Sequence, residues 1–201
     1  MELLTGFGLA TAAGLNAYIP LLAMGLLGRF TTLLDLPPAW AWLQNGWVLV
    51  IIGALLAVEI VADKIPALDT VNDTIQTFVR PTAGGIVFGS GTAAQTAAVT
   101  DPGEFAHTGQ WVPVAIGVLT ALGVHLTKTA VRPVANVATG GVAAPVLSTV
   151  EDATSVVLVF VAILVPALVL VILAALIWVA VKLLRRRRRA NKSAGSSREQ
   201  T

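Results

Sequence analysis

The chain has 201 residues, a formal net charge of +2, 56% hydrophobic and only 12% charged residues, where soluble domains carry about 25% charged residues. With a mean hydropathy of +0.82, that composition sets aside a soluble globular domain and points to a chain lying mostly in lipid. Cysteine is absent, which excludes a disulfide framework, a thiol nucleophile and cysteine-ligated metal.

A hydrocarbon core needs about 20 apolar residues per helical crossing. The first candidate span, Gly6 to Leu27, has no basic residue ahead of its apolar run and reads as a retained span rather than a signal peptide. It carries Asn16. After the connection "FTTLLDLPPAWAWLQN", the second span runs from Gly46 to Lys64 and holds Glu59, with Asp63 one turn later. The two acids are four apart and share a helix face. By helical rise Glu59 lies roughly 7 Å inside the interface at Lys64. A carboxylate in that place must be paired, protonated or wetted, because an isolated charge in hydrocarbon is expensive. One reading is a proton- or cation-coupling site with Glu59 as the titrating group. The other is a salt bridge to Arg80 or Arg132 that ties helices together.

Pro66 ends that span, and "ALDTVNDTIQTFV" then places Val71, Ile75, Phe78 and Val79 on one face of a short amphipathic surface helix, with Asp69 as its N-cap. Asp63, Asp69, Asn72 and Asp73 offer oxygen ligands for Mg²⁺ or Ca²⁺, but without the spacing of an EF-hand; capping and solvation are the preferred explanation. The third span, Pro81 to Val99, is weakly apolar, contains Gln95, and has Gly85 and Gly89 at the GxxxG spacing of close helix packing. The fourth, Trp111 to Thr129, follows the loop "DPGEFAHTGQ" and contains His125; the fifth, Pro133 to Val150, is again weak and contains Asn136. A very short turn near Glu151 and Asp152 leads to the sixth span, Ser155 to Val181. Beyond it Arg185, Arg186, Arg187, Arg188 and Arg189 begin a polar tail, which reads as disordered and as an anchor for anionic lipid headgroups rather than a nucleic-acid site.

Six spans with both termini cytoplasmic put Lys64, Arg80, Lys128, Arg132, Lys182 and the arginine run on the inner side, and Trp40, Trp42, Trp47 and Trp111 at the outer interface. The chain also repeats itself. "WVLVIIGALLAVEIVADK" aligns with "WVPVAIGVLTALGVHLTK", and "VRPTAGG" corresponds to "VRPVANVATGG" downstream. Each unit is a strong helix, an Arg-Pro pair and a weak span rich in small residues. Such interrupted spans in matching positions are a sequence pointer to a transport site; close packing by small residues is the competing explanation. Arg80-Pro81 and Arg132-Pro133 would each set a guanidinium at a helix N-terminus, where anions bind, unless these arginines merely mark the inner side.

"GLNAYIPLLAMGLLGRF" and "EIVADKIPALDTVNDTIQTFVRPTAGG" resemble a family of small bacterial integral membrane proteins, domain of unknown function 4126. The Glu, Asp-Lys-x-Pro, Asp and Arg-Pro-x-x-Gly positions carry the resemblance, which extends to about Leu184. It implies a multispanning protein of the bacterial plasma membrane and assigns no activity to any residue.

The fold class expected is therefore an all-α membrane protein of about six transmembrane helices, with an internal two-span repeat, two Gly/Pro-interrupted spans and a short cytoplasmic amphipathic helix. Residues 1–184 form one transmembrane domain, with repeat units at about 46–100 and 111–150, and residues 185–201 form the tail. The function expected is transport or flipping of a small or lipid-linked anionic substrate, coupled or not to protons. Its substrate or coupling residues would be Glu59, Asp63, Arg80, Arg132, Asn16, Gln95 and Asn136. The alternatives are a non-transporting envelope scaffold and a cation channel lined by Asn16, Gln95 and Asn136; small-residue faces leave room for a second copy of the chain as a partner. "GSGTAAQ" lacks the lysine of a phosphate-binding loop, no nucleophile has a base beside it, and neither a cofactor nor enzymatic chemistry is expected.

Overall fold

The computed structural model describes residues 2–91, 111–139, 143–166, 168–178 and 181–182, apart from the side chains of Pro66, Ala67, Asp69, Thr70, Val134, Asn136 and Ala138. Gln95, His107, residues 92–99 of the third expected span and Arg185 to Arg189 lie outside them. The elements are α1 (Glu2–Leu15), α2 (Tyr18–Phe30), a 3₁₀ helix (Pro38–Gln44), α3 (Gly46–Ala62), α4 (Pro66–Gly91), α5 (Trp111–Thr139) and α6 (Ala143–Leu164), then α7 (Leu168–Trp178). No strand occurs among the described residues.

α1 is the central post. Gly6, Gly8, Ala10, Ala12, Ala13 and Gly14 give it a thin profile, and it is buried from Gly8 to Leu15. A helix apolar on all sides has no face to turn to water; here α4, α5 and α6 all pack against it. A methyl group on Gly8 would lie 2.6 Å from Ala162 Cβ, and one on Gly14 2.6 Å from Val124 Cβ. Small residues therefore set how closely the neighbours approach.

The first expected span is not a single crossing. α1 stops at Leu15 and α2 starts at Tyr18, each too short to span at about 1.5 Å per residue. The contacts show that the chain turns back. The start of α1 lies by the end of α4, with Gly91 near Thr5, Gly6 and Leu9. Its last carbonyls face Arg80 and Lys128. α2 then leads away again, so that Gly25 meets Leu43 and Leu49, and Gly28 meets Leu36 and Gln44. The two helices form a V with Asn16 and Ala17 at its tip. The starts of α3 and α5, with Trp47 and Trp111, lie at the same end of the bundle as the open arms; charged side chains gather at the other.

α7 begins against Gly8 through Val169 and leads back along a groove that also holds Lys128 and Arg132. α1 and α7 thus both run toward the charged end of the bundle, with the chain's first reversal falling after α1. The missed cue was Asn16 followed by Ala17-Tyr18: its side-chain oxygen takes the amides of Tyr18 at 3.0 Å and Ile19 at 3.2 Å, which starts a second helix.

The expected boundaries shift further along the chain. The amphipathic helix and the third span are one helix of 26 residues running through Pro81, so Asp69 lies in its first turn rather than at its cap, and Arg80 lies inside a helix rather than at its start. α5 likewise runs through Pro133 to Thr139. Neither proline interrupts its helix: the ring removes one intrahelical amide bond, and packed neighbours make that tolerable in a membrane bundle. α6 passes straight through Glu151 and Asp152, where a turn was expected. The repeat also parts company with the structure after its matched helices, because the chain breaks after α3 but α5 continues past Lys128.

Among the described residues two helices, α5 over Trp111–Pro133 and α6, are long and apolar enough to cross a membrane alone, and a third candidate arises if the 3₁₀ helix and α3, bent by 64°, are taken as one span. α3 presents Trp47, Val50, Ile51, Val58 and Val61 outward and buries only Leu49, Ile52 and Glu59. An apolar face of that extent suits a lipid or protein partner rather than water. α4 and α5 cross at their glycines: a Cβ on Gly84 would collide with Ala121 Cβ and lie 2.7 Å from the Gly117 carbonyl oxygen. Gly85 and Gly89 face Val114, and Gly89 also faces Trp40, so the GxxxG pair serves packing.

Candidate functional site

The end of α3, the middle of α4, the second half of α5 and the middle of α6 converge on the tip of the V. Glu59 and Asp63 share one face of α3, as their spacing predicts, and both are 2% exposed. Glu59 Oε1 accepts from Arg80 Nη2 at 2.9 Å. Asp63 is the hub. Its Oδ2 lies 3.2 Å from Arg132 Nη2, 3.3 Å from Lys128 Nζ and 3.8 Å from Arg80 Nη2, while Oδ1 accepts from the Asn72 amide at 2.6 Å. Glu151, on α6, holds Lys128 at 2.9 Å and bonds Arg132 through Nη2 and Nε. Among the described residues three acids and three bases thus balance in formal charge, which is how ionised groups persist in low dielectric.

The V rests on that network. A helix end exposes carbonyls with no intrahelical partner and carries partial negative charge, so cations belong there. Arg80 Nη1 reaches the Gly14 carbonyl at 3.4 Å and Lys128 Nζ the Leu15 carbonyl at 3.3 Å. Asn16 Nδ2 donates to Asp152 Oδ1 at 2.9 Å, and Ser155 Oγ to the Ala12 carbonyl at 3.1 Å. His125 is buried, 3.0 Å from Thr77 Oγ1 through Nε2 and 3.4 Å from Arg80 Nη1 through Nδ1, a packed imidazole as its apolar helix suggests.

Of the residues singled out in the sequence, Glu59, Asp63, Arg80 and Arg132 meet in one cluster and Asn16 lies beside it. The structure describes no side chain for Asn136 or Asp69. Sequence reasoning left Lys128, Glu151 and Asp152 out of the candidate set and took His125 for a packed or interfacial imidazole. Lys128 was readable: it stands four residues before Arg132 and so shares its face of α5. Glu151 and Asp152 were not, because their assignment to a turn removed them from any face.

Asn72 points its amide at Asp63 rather than offering an oxygen, which sets this pair against a shared cation, and no group of three His, Cys, Asp or Glu residues converges among the described residues. Asp73 lies in the amphipathic first half of α4, outside the apolar spans. Burial holds its carboxyl above the ordinary value of 3.8, with Lys128, Arg132 and Arg80 pulling the other way, and its buried Oδ1 has no hydrogen-bond partner. A raised carboxyl contributes stability at acid pH that is lost as pH rises through its folded value. Asp73→Asn should therefore melt higher than the parent in detergent at neutral pH, with the gap closing toward pH 3.8; a gap that widens on acidification would overturn the assignment.

An apolar groove opens beside the cluster, between α1, α5, α6 and α7. It encloses about 450 Å³, has walls such as Leu119, Val124, Leu147 and Leu173, and places Lys128, Arg132 and Glu151 at one end. Helix packing, outward apolar surface and a buried ion network together define an all-helical protein with a charged interior site, whose apolar helices are compatible with a membrane. The family model described as domain of unknown function (DUF4126) matches residues 3–186, and the chain belongs to that family. Searches of curated proteins and of solved structures returned no match.

Proposed function

We propose that this is a multi-pass protein of the bacterial plasma membrane that transports or flips a small or lipid-linked anionic substrate, with the buried ion network as the element that couples movement to protons. In this reading α3, the apolar second half of α4, and α5 to α7 cross the bilayer and the V dips in from the outer side, giving five crossings in place of six and placing the start of α1 outside. The ion end faces the cytoplasm, because Lys64, Lys182 and the arginine run follow it. The arginine run meets anionic headgroups. The reading involves no covalent chemistry and no cofactor.

The observation that carries it is the sharing of Asp63 by three cations, two of which also form the head of the groove. An anion arriving from the groove competes with a resident carboxylate, and the change passes through Asp63 to Arg80 and Glu59. A network with two such arrangements is what coupling requires.

The test is movement of a fluorescent phosphatidylglycerol between leaflets of proteoliposomes, read by dithionite quenching with and without a pH gradient. Glu59→Gln should remove the stimulation by the gradient, about tenfold at the usual size of such couplings, while leaving the protein folded by size-exclusion chromatography. Unchanged stimulation removes Glu59 as the coupling group. The scaffold reading draws support from the Glu59–Arg80 pair, which can simply tie α3 to α4; it predicts no lipid or solute movement under any gradient.

A further inference from the structure

Glu151 differs from the other acids of the network. Its side chain is 15% exposed, against 1% for Glu59 and 3% for Asp63, and it alone among the three lines the groove. One carboxylate there satisfies both Lys128 and Arg132, touching the guanidinium through two nitrogens. That arrangement of one ammonium and a guanidinium edge is also what a phosphate takes.

The rest of the groove suits a hydrocarbon chain. Its walls are side chains such as Leu119, Val124, Leu173 and Ile177, and its volume of about 450 Å³ falls in the range of pockets that bury a small ligand, about 300–1,000 Å³. Gly123 forms part of the wall, and a Cβ there would meet nothing within 4 Å, so a bulky aromatic side chain at that position has room to occupy the groove.

We infer that the groove binds one acyl chain of a phosphate-headed amphiphile, whose headgroup takes the place of Glu151 on Lys128 and Arg132. Asp63 stays on the far side of both cations and keeps them in position when Glu151 leaves. Glu151 then serves as the resident counterion that holds the empty site closed. The inference rests on the reading of the protein as a carrier of lipid-linked anions, and it names the substrate class.

The probe is lysophosphatidic acid with a fluorescent acyl chain, titrated against the full chain in detergent, with lysophosphatidylcholine carrying the same chain and inorganic phosphate as the other arms. Lysophosphatidic acid should bind saturably and about tenfold more tightly than lysophosphatidylcholine, the difference one lost charge-assisted contact produces, and inorganic phosphate alone should not compete. Glu151→Gln should tighten binding of lysophosphatidic acid and leave lysophosphatidylcholine unchanged. Gly123→Phe, which keeps every charge, should weaken lysophosphatidic acid about tenfold. Equal affinity for the two lipids, competition by inorganic phosphate alone, or an inert Gly123→Phe overturns the inference. Binding as expected without any lipid movement in proteoliposomes would instead refute the transport reading; movement that Gly123→Phe leaves untouched would refute the site and spare transport.

Discussion

Arg80→Met should cost about 3–5 kcal/mol of stability, because it leaves Glu59 buried at 2% exposure with no cation. Adding Glu59→Leu to Arg80→Met should recover most of that loss. A buried ion pair replaced as a unit by apolar residues is neutral or stabilising by about 1–4 kcal/mol, and this pair is imperfectly satisfied already, since Glu59 Oε2 and Arg80 Nε are buried without partners. The recovery should fall short of complete, because the Gly14 carbonyl and Asp63 also lose a contact. Thermal melts of the purified protein in one detergent measure all three chains. A single variant as stable as the parent, or a double variant no better than the single, would show that the pair is not the closed unit the distances describe. The double variant also separates the two functional readings, since a scaffold needs only the stability and a proton-coupled carrier needs Glu59 itself.

Gly117→Leu should be the most damaging substitution outside the ion network. A Cβ at Gly117 collides with the carbonyl oxygen of Gly84 and lies 2.5 Å from Phe88 Cβ, so both α4 backbone and a fully buried aromatic side chain stand in the way. Backbone cannot rotate aside as a flexible side chain does, and overpacking of this kind costs at least about 1–3 kcal/mol. Gly53→Ala is the matched control: nothing lies within 4 Å of the added methyl, and in a helix interior alanine is favoured over glycine by about 0.5–1 kcal/mol. The two changes should move the melting midpoint in opposite directions. A tolerated Gly117→Leu would mean that α4 and α5 do not cross at this pair.

The parts of this architecture legible in the sequence are those set by residues close together. Glu59 and Asp63 were readable as one face because four residues make about one turn, and the demand for a partner followed from the cost of a buried charge. Which cation answered Glu59 was left between Arg80 and Arg132; the structure gives Arg80 to Glu59 and Arg132 to Asp63 and Glu151. Proline misled twice: at Pro81 and Pro133 it reads as a helix start, yet tertiary packing carries both helices through it. The α1–α2 reversal was hidden for the opposite reason. "GLATAAGLNAYIPLLAMGLL" carries no charge and has only Thr11, Asn16 and Tyr18 as polar side chains, so hydropathy sees one span, and the turn depends on Asp152, Arg80 and Lys128, which lie far away in the chain.

That last dependence reaches back to the ribosome. The tip of the V is translated first, but Arg80, Lys128 and Asp152 follow the groups they hold by 66, 113 and 136 residues. Until α6 has been made, a growing chain carries α1 and α2 without the side chains that hold their junction, and a chain truncated before Asp152 never completes the seat on which that junction rests.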